Sequence, residues 1–125
     1  MNISKIQSEF NDARTYFSYI ELYPTSDGKV FVKVALQPSV NQFYVVSIHF
    51  PDSYPIEMPT VYIDKPIIES APHRYKVGNI CYLHPTMWNP GAHNLIFVIQ
   101  RAAKWLGKYE IWKRNHVWPG AEIKH

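Results

Sequence analysis

The chain has 125 residues, 46% apolar and 18% charged, with a net charge of +3. That composition describes one domain spanning 1–125, able to bury roughly two-thirds of its unfolded-chain surface, and excludes a disordered or low-complexity chain. The mild positive charge permits a basic patch without announcing nucleic acid, and a single cysteine excludes an internal disulfide.

The N-terminal stretch Met1-Asn2-Ile3-Ser4-Lys5-Ile6-Gln7-Ser8-Glu9 carries charges early and has no long apolar run. No segment approaches the roughly 18 apolar residues of a membrane span. Neither a signal peptide nor a membrane anchor is expected, and a cytoplasmic location follows by default.

Ile3, Ile6, Phe10 and Ala13 repeat at helical spacing, and Ser4-Lys5-Ile6-Gln7 reads as a capping box. A period of two from Tyr16 to Tyr23 predicts a first strand, stopped by the turn cluster Pro24-Thr25-Ser26-Asp27-Gly28. Val30, Val32, Val34 and Leu36 then alternate with Lys29, Lys33 and Gln37, the pattern of an antiparallel strand with one wet face. Tyr44, Val46, Ile48 and Phe50 predict the buried side of a third strand, and Val61 and Ile63 a short fourth. Connections this short imply a meander. Lys65 to Val77 reads as a long loop, which in a compact domain often carries function.

Helical spacing returns from Ala92 to Lys113, through Leu95, Val98, Ile99, Ala102, Trp105, Leu106, Tyr109 and Trp112. Gly107 costs about 1 kcal/mol against Ala and marks a place for a bend or break. Arg101, Lys104 and Lys108 share the opposite face, most simply a solvated one, though suited to an acidic partner. The tryptophans at 105 and 112 read as core. The expected architecture is α+β, with helices covering one face of a four-stranded antiparallel meander.

Between the fourth strand and this helix lies Gly78-Asn79-Ile80-Cys81-Tyr82-Leu83-His84-Pro85. Gly78 on one side and Asn89-Pro90-Gly91 on the other break regular structure. A thiol in an irregular segment between rigid elements can be partly exposed, so Cys81 is the candidate for chemistry. The competing reading is a small buried hydrophobe. His73, Cys81, His84 and His93 lack the paired spacing of a structural zinc site, and no phosphate-binding loop is present, so neither metal nor cofactor is expected.

Several motifs, taken in this order, resemble the ubiquitin-conjugating (UBC) fold. Phe50-Pro51-Asp52-Ser53-Tyr54-Pro55-Ile56-Glu57-Met58-Pro59 is similar to that family's Phe-Pro-x-x-Tyr-Pro-x-x-Pro-Pro segment, with Met58 replacing the first of the paired prolines. Gly78-Asn79-Ile80-Cys81 resembles Gly-x-Ile-Cys, whose cysteine carries the thioester, and Trp88-Asn89-Pro90 resembles the following Trp-Ser-Pro. The family's His-Pro-Asn is missing: the asparagine position, eight residues before Cys81, holds His73. The C-terminal Trp105 to Trp112 and Trp118 to His125 resemble the compact bacterial members of the CBASS antiphage type, found beside a cGAS-like nucleotidyltransferase (CD-NTase).

The resemblance implies an acyl transferase in bacterial antiviral defence. Cys81 would form a thioester with the C-terminus of a ubiquitin-like protein or of the cognate CD-NTase, with an activating enzyme as a further partner. An ordinary thiol is only a few per cent thiolate near neutrality, adequate against an already activated acyl donor. His73, Asn79 and His84 lie near Cys81 in sequence, and any of them could donate to an oxyanion, worth about a hundredfold in rate. The plainer alternative is that His73 braces the loop and His84 precedes a proline turn. Two rival readings remain, a catalytically idle binding module that scaffolds or regulates the CD-NTase and, ranked below it, a basic nucleic-acid binder. The transfer reading requires a route to the Cys81 sulfur.

Overall fold

The structure is a computed structural model that describes residues 1–40, 42–69, 71–74 and 78–120. Helix α1 spans Ile3–Ala13 and buries Ile6, Phe10 and Ala13 of the face its spacing predicts, while Ile3 at the helix start is left exposed. Its cap differs from the expected one: the Asn2 side chain, not Ser4, accepts the Lys5 amide at 3.1 Å. Ser4 lies inside the helix, and Asn is as good an N-cap as Ser.

The sheet is an antiparallel meander in the order β1-β2-β3-β4, with β1 at Ile20–Pro24, β2 at Val30–Ser39, β3 at Gln42–His49 and β4 at Thr60–Lys65. The first strand begins later than the period of two suggests. The amides of Arg14 and Phe17 bond to the carbonyls of Phe10 and Ala13, so the turn after α1 takes the donors a longer strand would need. Gly28, at φ +80°, closes the β1–β2 turn in a conformation that suits glycine. Val32, Val34, Val46, Ile48 and Val61 form the buried face, all at most 1% exposed.

Helix α2, Leu95–Asn115, is the longest element. It starts three residues later than expected, because the amides of Ala92 and His93 both bond to the Asn89 carbonyl in a turn. Asn94 then caps it, its side chain accepting from Phe97 at 3.0 Å. The helix runs through Gly107 without a break. Trp105, Leu106 and Tyr109 around that glycine are buried, and their packing outweighs its propensity cost. His116, at φ +59°, ends it, its N–H bonding the Trp112 carbonyl. α2 packs against α1 and β2, and the apolar residues of helices and sheet form one core. Among the described residues, no helix is long and apolar enough to cross a membrane.

Two anchors tie the segment after β3 to the helices. Tyr54 is buried, its ring edge-on to Phe50 at 4.8 Å and its hydroxyl donating to Glu9 of α1 at 2.6 Å. The same Glu9 oxygen accepts the Leu95 amide at 2.7 Å, so one carboxylate joins α1, the Tyr-Pro corner and the start of α2. The Trp88 indole donates to the Pro55 carbonyl at 2.8 Å, linking that corner to the segment before α2.

Candidate active site around Cys81

The chain reaches Cys81 through a short pairing of its loop with itself. Arg74 and Ile80 form an isolated antiparallel bridge, the Ile80 amide bonds to the Val61 carbonyl of β4 at 2.9 Å, and the Cys81 amide bonds to the His73 carbonyl at 2.8 Å. Gly78 turns the loop at φ +96° and its carbonyl accepts from Arg74 Nε at 3.2 Å. Beyond the cysteine, the Tyr82 hydroxyl donates to the Pro59 carbonyl at 2.6 Å. Cys81 is thus held by β4 on one side and by residues 73–74 on the other.

That grip overturns the expectation of a partly exposed thiol. Cys81 is 1% exposed, its Sγ 3.8 Å from the Leu83 carbonyl oxygen. The cause is tertiary. The Trp105 indole of α2 donates at 3.2 Å to the same His73 carbonyl that receives the Cys81 amide. Trp118, just past α2, lies 5.0 Å from the His73 ring and 5.4 Å from Trp105. Helix and following segment close over the loop.

Cys81 nevertheless borders a small cavity. A cavity of about 20 Å³ is lined from the loop by His73, Cys81 and Tyr82, from α2 by Arg101, Lys104, Trp105 and Lys108, and from beyond it by Trp118. Of the three residues expected to support Cys81, only His73 lines it. His73 sits at φ +61°, a left-handed conformation that costs energy for a residue with a side chain and is enriched at functional turns. His84 instead caps the short 3-10 turn Pro85–Met87, accepting from the Thr86 amide and pairing with its hydroxyl at 2.8 Å. The Asn79 side-chain oxygen is buried without a hydrogen-bond partner among the described residues, and Asn79 does not line the cavity.

What sequence reasoning missed is the cationic wall. Arg101 and Lys108 are half-buried, Lys104 is exposed, and the three share the cavity with Cys81. Arg101 Nε donates to the Tyr82 carbonyl at 2.9 Å, fixing the guanidinium beside the residue that follows Cys81. Burial, then the charges of Lys104 and Arg101, push the Lys108 ammonium below its ordinary range. The helical spacing of these cations was visible; that the cysteine loop lies beneath them was not. The site thus places Cys81 and three cationic side chains around one small, partly buried recess, where positive charge favours a developing oxyanion.

The fold is shared with solved ubiquitin-conjugating enzymes. The structure is similar to the E2 from Plasmodium falciparum (23% identity, 83% of this chain and 96% of that one, TM-score 0.60) and to human E2 G1 (17%, 81% and 90%, 0.58). It is also similar to the yeast Vps23 UEV domain solved with a Vps27 PSDP peptide (20% identity, 95% and 90% covered, TM-score 0.55). At these identities the likeness establishes the fold alone. A search of curated proteins finds no match. Residues 9–125 match the family described as Type II CBASS E2 protein, and with that match spanning nearly the whole chain, this protein belongs to the E2-CBASS family, a ubiquitin-conjugating-like component of CBASS.

Proposed function

We propose that the chain is a cysteine acyl carrier. The Cys81 thiolate attacks the carbonyl carbon of an activated C-terminus, an acyl adenylate or a thioester supplied by a partner, and AMP or the partner's thiolate leaves. An amine then attacks the Cys81 thioester, loses a proton, and expels the thiolate. The acyl group comes from a ubiquitin-like protein or from the cognate CD-NTase. The observation that carries this reading is the placement of the only cysteine on the wall of a cavity shared with His73 and three cations. His73 is the supporting residue this geometry favours over Asn79 and His84.

A second reading has its own support. Cys81 is 1% exposed, which is how an idle structural cysteine sits, and the fold also serves in a UEV domain solved with a bound peptide. In that case the chain scaffolds or regulates the CD-NTase without chemistry. Intact-mass spectrometry of protein co-produced with its operon partners separates the two. The carrier predicts a mass adduct on Cys81 that hydroxylamine or excess thiol removes and Cys81→Ala abolishes. Bare protein under every such condition leaves only the scaffold.

A further inference from the structure

From the cationic wall we infer that the Cys81 cavity selects an acyl donor with an acidic tail: carboxylates just upstream of the donor's terminal residue pair with Arg101, Lys104 and Lys108 while a small terminal residue reaches the sulfur. This names the substrate class of the site proposed above and rests on that reading. Three observations support it. Arg101, Lys104 and Lys108 face one cavity, and none of the ion pairs among the described residues engages them. Lys104 and Lys108, four residues apart on α2, repel one another, and burial, followed by the charges of Lys104 and Arg101, lowers the affinity of Lys108 for its proton. An incoming carboxylate relieves the repulsion, so the same charges that weaken the free protein strengthen the complex.

Size sets the rest. A recess of about 20 Å³ has room for about one water-sized group, so it excludes a bulky final side chain and leaves only a small terminal residue able to approach Cys81 as the lining gives way. Nucleic acid would match the charge but needs open ring faces for its bases. Trp105 and Trp118 are packed on each other and Trp118 on His73. The observations therefore favour a peptide.

The test uses the full chain carrying Cys81→Ser, so that no acyl chemistry is needed. The probes are a fluorescein-labelled dodecapeptide ending Glu-Glu-Glu-Gly and its counterpart ending Gln-Gln-Gln-Gly, read by anisotropy at low and high salt. The acidic peptide is expected to bind at least about tenfold tighter at low salt. Adding Lys104→Gln and Lys108→Gln together should remove about tenfold, the loss of two partly screened ion pairs. Lys29→Gln, at a lysine that pairs with Asp52 and does not line the cavity, should change nothing. The reversal Lys104→Glu with Lys108→Glu should prefer a tail ending Lys-Lys-Lys-Gly. Equal binding of the two peptides, indifference to the lysine changes, or tighter binding of oligothymidylate would each overturn the inference. If tail binding holds but no Cys81 adduct forms in the wild type, transfer fails and tail recognition stands. If adducts form equally fast on acidic and neutral donors, tail recognition fails and transfer stands.

Discussion

Glu9 offers the sharpest test of how this fold holds together. Its Oε1 accepts from the Tyr54 hydroxyl at 2.6 Å and from the Leu95 amide at 2.7 Å, and its Oε2 lies 3.5 Å from Lys5 Nζ. The Glu9 side chain is 12% exposed. Hydrogen bonds to a charged group contribute about 1.5–3 kcal/mol each, and stranding the buried Tyr54 hydroxyl adds to the loss. Part of that sum is the attraction of a carboxylate for the start of a helix, so the terms overlap. Glu9→Leu is therefore expected to cost about 3–5 kcal/mol. Glu9→Gln, which keeps an acceptor without the charge, should cost about 1–2 kcal/mol. At about 4 °C per kcal/mol for a chain of this length, Glu9→Leu should lower the melting temperature by about 12–20 °C.

Thermal and urea unfolding of Glu9→Leu, Tyr54→Phe and the double variant complete a cycle whose coupling should be about 1–2 kcal/mol. The effect should persist in high salt, because a largely buried contact is weakly screened. Strict additivity of the two changes, or a shift of under about 3 °C for Glu9→Leu, would refute the claim that one carboxylate joins both helices to the Tyr-Pro corner.

Two further outcomes follow from the described contacts. Trp118→Ala removes the ring that packs on His73 and Trp105, so alkylation of Cys81 by iodoacetamide should quicken about tenfold or more. An unchanged rate would mean that something other than Trp118 guards the thiol. His49 is held below the ordinary imidazole range by burial, opposed by Asp64 and reinforced by Lys33. The folded chain thus binds fewer protons than the unfolded one below about pH 6.5, and stability falls as pH drops through that window. Urea midpoints should accordingly decline more for wild type than for His49→Gln between about pH 7.5 and pH 5.5, and parallel declines would remove His49 as the cause.

Much of the architecture was legible from periodicity. Alternation in β2 and β3 marked Val32, Val34, Val46 and Ile48 as core, and the 3.6-residue spacing of α2 marked Leu95, Val98, Ile99, Ala102 and Leu106, all of them buried. Boundaries were less legible, because they depend on which group captures a particular amide. Asn2 in place of Ser4, and the Asn89 carbonyl that delays α2, are decisions made by geometry among several competent partners. Gly107 marked a weak point by propensity, and burial of its neighbours overrode it.

The candidate site divides the same way. Sequence by itself identified the cysteine, the breaks in regular structure around it, the neighbouring His73 and a row of cations on a helix, because residue type and spacing are local properties. Tertiary structure alone decided that this row overhangs Cys81, that Trp118 folds back beside His73, and that His84 caps a turn outside the cavity. It also decided that the sulfur lies buried rather than open, since exposure depends on what distant parts of the chain pack above an atom, and no local pattern encodes that.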